Sequence, residues 1–120
     1  MAVDERLVDW VREALEPLGT VTMRKMIGNA ALYCDGTIFA VADGSALWFK
    51  ADAESDATWD AEGCERVTFE DRGKIVTVNY RRAPDDVYDD PEAMRRWAGL
   101  ALEAGRRAPV RKPKKPKPAS

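Results

Sequence analysis

Histidine is absent from the 120 residues, and with it the side chain that most readily exchanges a proton near neutral pH. Acid–base chemistry would fall to Asp, Glu or Lys made special by strong burial. Only two cysteines occur, Cys34 and Cys64. With no second pair and no histidine, one chain cannot assemble a four-ligand zinc site, and no disulfide framework is expected. Both read as reduced, structural residues of a reducing compartment, because the charge of the adjacent Asp35 works against a reactive Cys34 thiolate. There is no glycine-rich phosphate loop and no serine elbow. No apolar run approaches the length that crosses a bilayer, and no basic start leads into an apolar stretch. No membrane contact, metal or cofactor is expected, and the expected compartment is the cytoplasm.

Charge is plentiful but unevenly placed. The net charge is −2, yet seven basic residues and no acids follow position 105: Arg106, Arg107, Arg111, Lys112, Lys114, Lys115 and Lys117. The first 105 residues therefore carry twelve basic side chains against 21 acidic ones. An acidic body repels phosphate, so nucleic-acid contact is expected only through the tail. Pro109, Pro113, Pro116 and Pro118 break helices there, and residues 106–120 read as a disordered Lys/Pro tail behind a single domain, residues 1–105. That domain is long enough to bury its own core.

The strongest local signal is three short apolar runs, Asn29–Cys34, Thr37–Ala42 and Ala46–Lys50, joined by two Asp-Gly turns. Glycine accepts the positive φ of tight hairpin turns, so the centre reads as an antiparallel meander. Val21–Met26 is a β-rich strand ahead of it, with Gly28 at the bend. Val3, Leu7, Val8, Trp10, Val11, Ala14, Leu15 and Leu18 follow helical spacing, with Asp4 as N-cap and Pro17-Leu18-Gly19 as the stop. Ser55 is placed to cap a short helix through Trp59, ended by Gly63. Arg66–Glu70 and Ile75–Arg81 alternate as a second hairpin around Asp71-Arg72-Gly73, with one dry face and one wet face. Asp90, Pro91 and Glu92 open a last helix whose stripe of Met94, Trp97, Ala98 and Ala101 ends at Gly105.

Consecutive hairpins flanked by helices give an α+β, two-layer sandwich: an antiparallel sheet of five to six strands with N- and C-terminal helices, in the order α-β4-α-β2-α. Because the meander strands are apolar at nearly every position, helices on one face leave an apolar outer face. Either a partner covers it, or the short helix or the tail does.

Met23-Arg24-Lys25-Met26-Ile27-Gly28, Leu32-Tyr33-Cys34-Asp35-Gly36, Phe39-Ala40, Leu47-Trp48-Phe49-Lys50-Ala51-Asp52 and Tyr80–Pro84, followed by a tryptophan-bearing last helix, together resemble the N-terminal domain of the TfoX/Sxy competence-regulator family. The likeness spans roughly Val3–Gly105. The family pattern has an aromatic residue or methionine where Ile27 stands and a second glycine where Asn29 stands. The resemblance implies an antiparallel α+β domain with no known catalytic residues and, in full-length members, a role in activating competence genes.

Several constellations compete with plainer readings. Asp85-Asp86-Val87-Tyr88-Asp89-Asp90 could offer oxygens to a cation, against helix capping and pairing with Arg81 and Arg82. If the meander continues through the second hairpin, strands four and six run the same way and leave Lys50, Arg81 and Arg82 at one sheet edge beside Tyr80. That edge is the expected anion or ligand site, against ordinary surface pairing with Asp52, Asp85 and Asp86. Trp10 and Trp97 read as core, whereas Trp48 and Trp59 are candidates for a partner surface. The expected function is a non-catalytic protein-interaction domain whose partner is a protein, transcription machinery on the family likeness, or a second copy meeting the outer meander face. The alternatives are weak nucleic-acid association through the tail and a small-anion binder or enzyme at the cationic edge.

Overall fold

The computed structural model describes residues 4–26, 28–44 and 46–108, so the expectations for Val3, Ile27 and the tail beyond Ala108 lie outside the described residues. Helix α1 (Glu5–Ala14) leads into β1 (Val21–Met26), β2 (Asn29–Cys34), β3 (Thr37–Asp43) and β4 (Ala46–Lys50). Helix α2 (Asp56–Ala61), β5 (Arg66–Asp71), β6 (Lys74–Arg82), a 3₁₀ turn (Asp85–Tyr88) and α3 (Pro91–Arg107) follow. One antiparallel sheet of six strands, in the order β1-β2-β3-β4-β6-β5, bears the helices on one face. This is the two-layer α+β sandwich that the hairpin signals imply.

The turns behave as their chemistry demands. Asp35 and Gly36 both take positive φ, +47° and +84°, between the paired residues Cys34 and Thr37. Asp4 caps α1 by accepting from the Arg6 N–H at 3.0 Å, and Asp90 caps α3 by accepting from the Glu92 N–H at 2.9 Å. Three local expectations fail. Helix α1 stops at Ala14, ahead of Pro17. Ser55 makes no cap hydrogen bond; its hydroxyl accepts from the Asp52 N–H at 3.0 Å, while Asp52 Oδ1 accepts from the Ser55 N–H at 3.0 Å, closing the loop before α2. Helix α3 continues two residues past Gly105, where Arg107 is anchored to Asp52.

The core lies between the sheet's inner face and the helices. An extra residue in β3 opposite the Leu32–Tyr33 step turns both Phe39 and Ala40 inward, the effect of a bulge on strand alternation. Phe39 stacks on Phe49 with centroids 6.5 Å apart, Phe49 on Trp59 at 5.8 Å, and Trp59 meets Trp97 at 4.9 Å. This aromatic column joins β3, β4, α2 and α3. It also corrects the expectation that Trp59 lies on a partner surface, since Trp59 is fully buried. Gly105 lets α3 lie on β3, because a Cβ there would stand 2.5 Å from the Ile38 carbonyl oxygen. Trp10 donates its indole N–H to the Val87 carbonyl at 2.8 Å, and Arg95 donates to the Ala14 carbonyl at 3.1 Å. These two bonds tie the three outer segments together.

The second hairpin departs from its sequence reading. Helix α2 covers only the base of β6, so the rest of β5 and β6 projects past the helices and neither side is dry. Phe69 is 45 % exposed on one side and Ile75 69 % on the other.

Candidate interaction surface

Strand β6 lies beside β4 and runs antiparallel to it, pairing Trp48 with Arg82, Phe49 with Arg81 and Lys50 with Tyr80. The α2 segment carries the chain past that position, leaving β5 as the edge. Strands four and six therefore do not run the same way, and the expected three-cation edge is split by strand alternation. Lys50, Tyr80 and Arg82 face outward with Trp48; Arg81 faces inward beside Phe49.

Arg81 is 1 % exposed. It donates to Asp60 at 2.7 Å, to the Cys64 carbonyl at 2.8 Å, and to Asp56 and Asn79 at 3.0 Å each. Burial pulls its pKa down, but the bonds and charges of Asp60 and Asp56 more than offset this and leave it raised. The Asn79 amide N–H₂, donating at 2.9 Å, is the main cause holding Asp56 below the usual carboxylate range, with Arg81 and Arg66 assisting. Asn79 sits where β6 carries two extra residues opposite the Arg66–Val67 step. Arg81 is thus a buried clamp between α2 and the sheet, committed to its own fold rather than to a ligand. The sequence held one signal for this arrangement: Asp56 and Asp60 lie four apart and share a helix face.

The outer face presents an open groove of about 490 Å³. Ala31, Ile38 and Val41 form its floor with Tyr33, Trp48 and Tyr80, and the sheet twist sets Met26 of β1 and Phe69 of β5 in its walls. Val67 and Val78 extend it onto the projecting hairpin, and Asp43 closes one end. Lys50 Nζ stands 5.4 Å from the Tyr80 ring centre, and the Arg82 guanidinium 5.9 Å from that of Trp48. Burial, with Tyr33 nearby, pushes the Tyr80 hydroxyl pKa up, so Tyr80 stays neutral.

The remaining candidates scatter. Arg107 makes a two-pronged contact with Asp52, at 2.7 and 2.9 Å, and approaches Glu54 at 2.9 Å. The Arg107 bond is the largest cause holding Asp52 down at about 2. Arg106 lines a groove between α2 and α3, while Arg111, Lys112, Lys114, Lys115 and Lys117 lie outside the described residues. Asp85 and Asp86 enter the 3₁₀ turn and Asp90 caps α3; among the described residues no three acids or thiols converge on a cation position. Cys34 and Cys64 are buried, and burial pushes both thiols up. Among the described residues no helix is long and apolar enough to cross a membrane.

Comparison with known proteins agrees with the motifs. A family model, the TfoX N-terminal domain, matches residues 13–105. The DNA transformation protein TfoX1 of Aliivibrio fischeri is 30 % identical over 78 residues, 65 % of this chain and 35 % of the relative. Protein Sxy of Escherichia coli is 28 % identical over 98 residues, 78 % of this chain and 44 % of the relative. The chain thus spans less than half the length of either relative. With most of its length matched, from the end of α1 into the last turn of α3, the chain belongs to the TfoX N-terminal domain family.

Proposed function

We propose that this domain is non-catalytic and acts in the cytoplasm by holding a protein partner on the uncovered face of its sheet, as a regulatory domain of the TfoX/Sxy type. One observation carries the reading: the inner face is sealed by helices, while the outer face is also apolar at its centre and bears no helix among the described residues. A contiguous apolar surface of this kind marks an interaction site more often than chance exposure. Its aromatic residues and cation-covered rings are the side chains enriched where binding energy concentrates. Two carboxylates with displaced pKa values, Asp52 and Asp56, are both held ionised by donors. A proton donor at neutral pH needs the opposite displacement.

The test is a Val41→Asp exchange in the full chain, which puts a charge at the groove centre. Proteins crosslinked from native lysate by the wild-type chain should be lost from the variant, with thermal melting confirming that the variant folds. Equal recovery by both chains would refute the proposal.

A further inference from the structure

The groove's charges narrow what can occupy it. Strand alternation puts Arg24 on the outer face, paired across to Ala31, in the row that continues through Val41 and Trp48 to Arg82. Lys50 lies in the next row, beside Tyr80. Three cations therefore border the apolar floor of a body that is otherwise rich in acid. Against them stand Asp43 at one end and Glu65, whose carboxylate is 3.9 Å from Arg82 in an exposed pair. Among the described residues neither Arg24 nor Lys50 is paired with a carboxylate.

A second copy fits this surface poorly. Stacking two such faces would bring six cations against four acids at the border of a dry interface, and like charges there cost several kcal/mol. A polynucleotide would satisfy the cations, but it would have to lay bases on Ala31, Ile38, Val41, Val67 and Val78, where stacking calls for aromatic planes. Of the four rings that line the groove, Trp48 and Tyr80 already hold Arg82 and Lys50 over them, which leaves Tyr33 and Phe69 set among the aliphatic side chains. An apolar segment flanked by carboxylates satisfies both halves of the surface. Its aliphatic or aromatic anchors would fill the floor, and its acids would meet Arg24 and Lys50. From the Asp43–Ala46 pair to Lys50 the groove follows β4 for ~13 Å at ~3.3 Å per residue, the length of roughly two and a half helical turns.

We propose that the outer groove takes a short acidic, apolar-anchored segment of a different protein, with Arg24 and Lys50 reading its carboxylates. This rests on the proposed function and names the chemistry of the partner. A phage library of random twelve-residue peptides selected on the full chain tests it, with binding of synthetic hits followed by fluorescence anisotropy. Enriched peptides should join two or more large apolar residues to Asp or Glu. Arg24→Glu with Lys50→Glu should weaken them at least tenfold, and Val41→Asp should abolish binding. Val41-dependent peptides that show no acid preference and ignore the charge reversals would overturn this inference and leave the face reading standing. Absence of any Val41-dependent peptide would overturn both. A dimer in sedimentation that Val41→Asp dissolves would overturn the inference in favour of a second copy. A fifteen-nucleotide oligothymidylate that binds the wild type and is released by the charge reversals, with no competition from the peptides, would overturn it in favour of nucleic acid.

Discussion

Arg81 and Arg82 are neighbours in sequence and opposites in the fold, which makes them a controlled pair. Replacing Arg81 by Met keeps most of the buried stem and deletes the guanidinium. The Cys64 carbonyl then loses its buried donor, at about 1–3 kcal/mol for an unsatisfied group. Asp60, 60 % exposed, can turn to water and adds under ~1 kcal/mol. Asp56 keeps Asn79 and Arg66 but loses its closest cation. The expected loss is about 2–4 kcal/mol, somewhat below the ~3–5 kcal/mol for breaking a wholly buried pair, because both acids see solvent. Arg82→Met removes a 3.9 Å exposed pair and a ring contact, and should cost about 0.5 kcal/mol or less.

Urea unfolding followed by tryptophan fluorescence measures both, since Trp59 reports on the α2 packing that Arg81 secures. The acid limb supplies an independent readout. The folded-state pKa of Asp56 lies below its unfolded value of 3.8, so its contribution is complete above that value and is lost as pH falls through the folded one. Removing Arg81 should shrink this acid-dependent loss as well as the stability at pH 7. Equal costs for the two arginines, or an unchanged acid limb in Arg81→Met, would refute the clamp.

Gly105→Ala should destabilise by about 1–3 kcal/mol in the same assay, because the new methyl group meets the Ile38 carbonyl and α3 must lift. Gly99→Ala, on the same helix with open space around it, should stabilise by about 0.5–1 kcal/mol through helix propensity alone. Asp52→Asn, which keeps an oxygen for the Ser55 N–H, should lower the melting temperature at pH 7. Its difference from wild type should vanish as pH falls from about 4 towards the folded pKa of about 2.

The strands and turns were legible because their causes are local. An Asp-Gly pair between apolar runs fixes a hairpin wherever it occurs, and Asp90-Pro91 opens a helix without help from tertiary contacts. The order of the last strands was not legible. Nothing within Arg66–Arg82 says whether β5 or β6 meets β4; that depends on how far the α2 segment carries the chain, a question of packing between distant residues. The same gap places Trp59 among the candidates for a partner surface, because nothing local to its short helix reveals that Phe49 and Trp97 enclose it.

The candidate site was half legible for a related reason. Apolar residues on both faces of the meander predict an uncovered face, and the groove lies there. The charges are a finer matter, because alternation fixes only relative orientation: it separates Arg81 from Arg82 but not which of them points inward. Pairing with Phe49 decides that, and the carboxylates of α2 make the buried position tolerable for a guanidinium. One reading frame therefore does two jobs along β6. It spends Arg81 on holding α2 over the core, and it places Tyr80 and Arg82 on the face left open. Shifting β6 by one residue would exchange these roles at once, burying Tyr80 and Arg82 and leaving Asp56 and Asp60 without their clamp. The fold's internal ion pair and its interaction surface are in this sense specified by a single register.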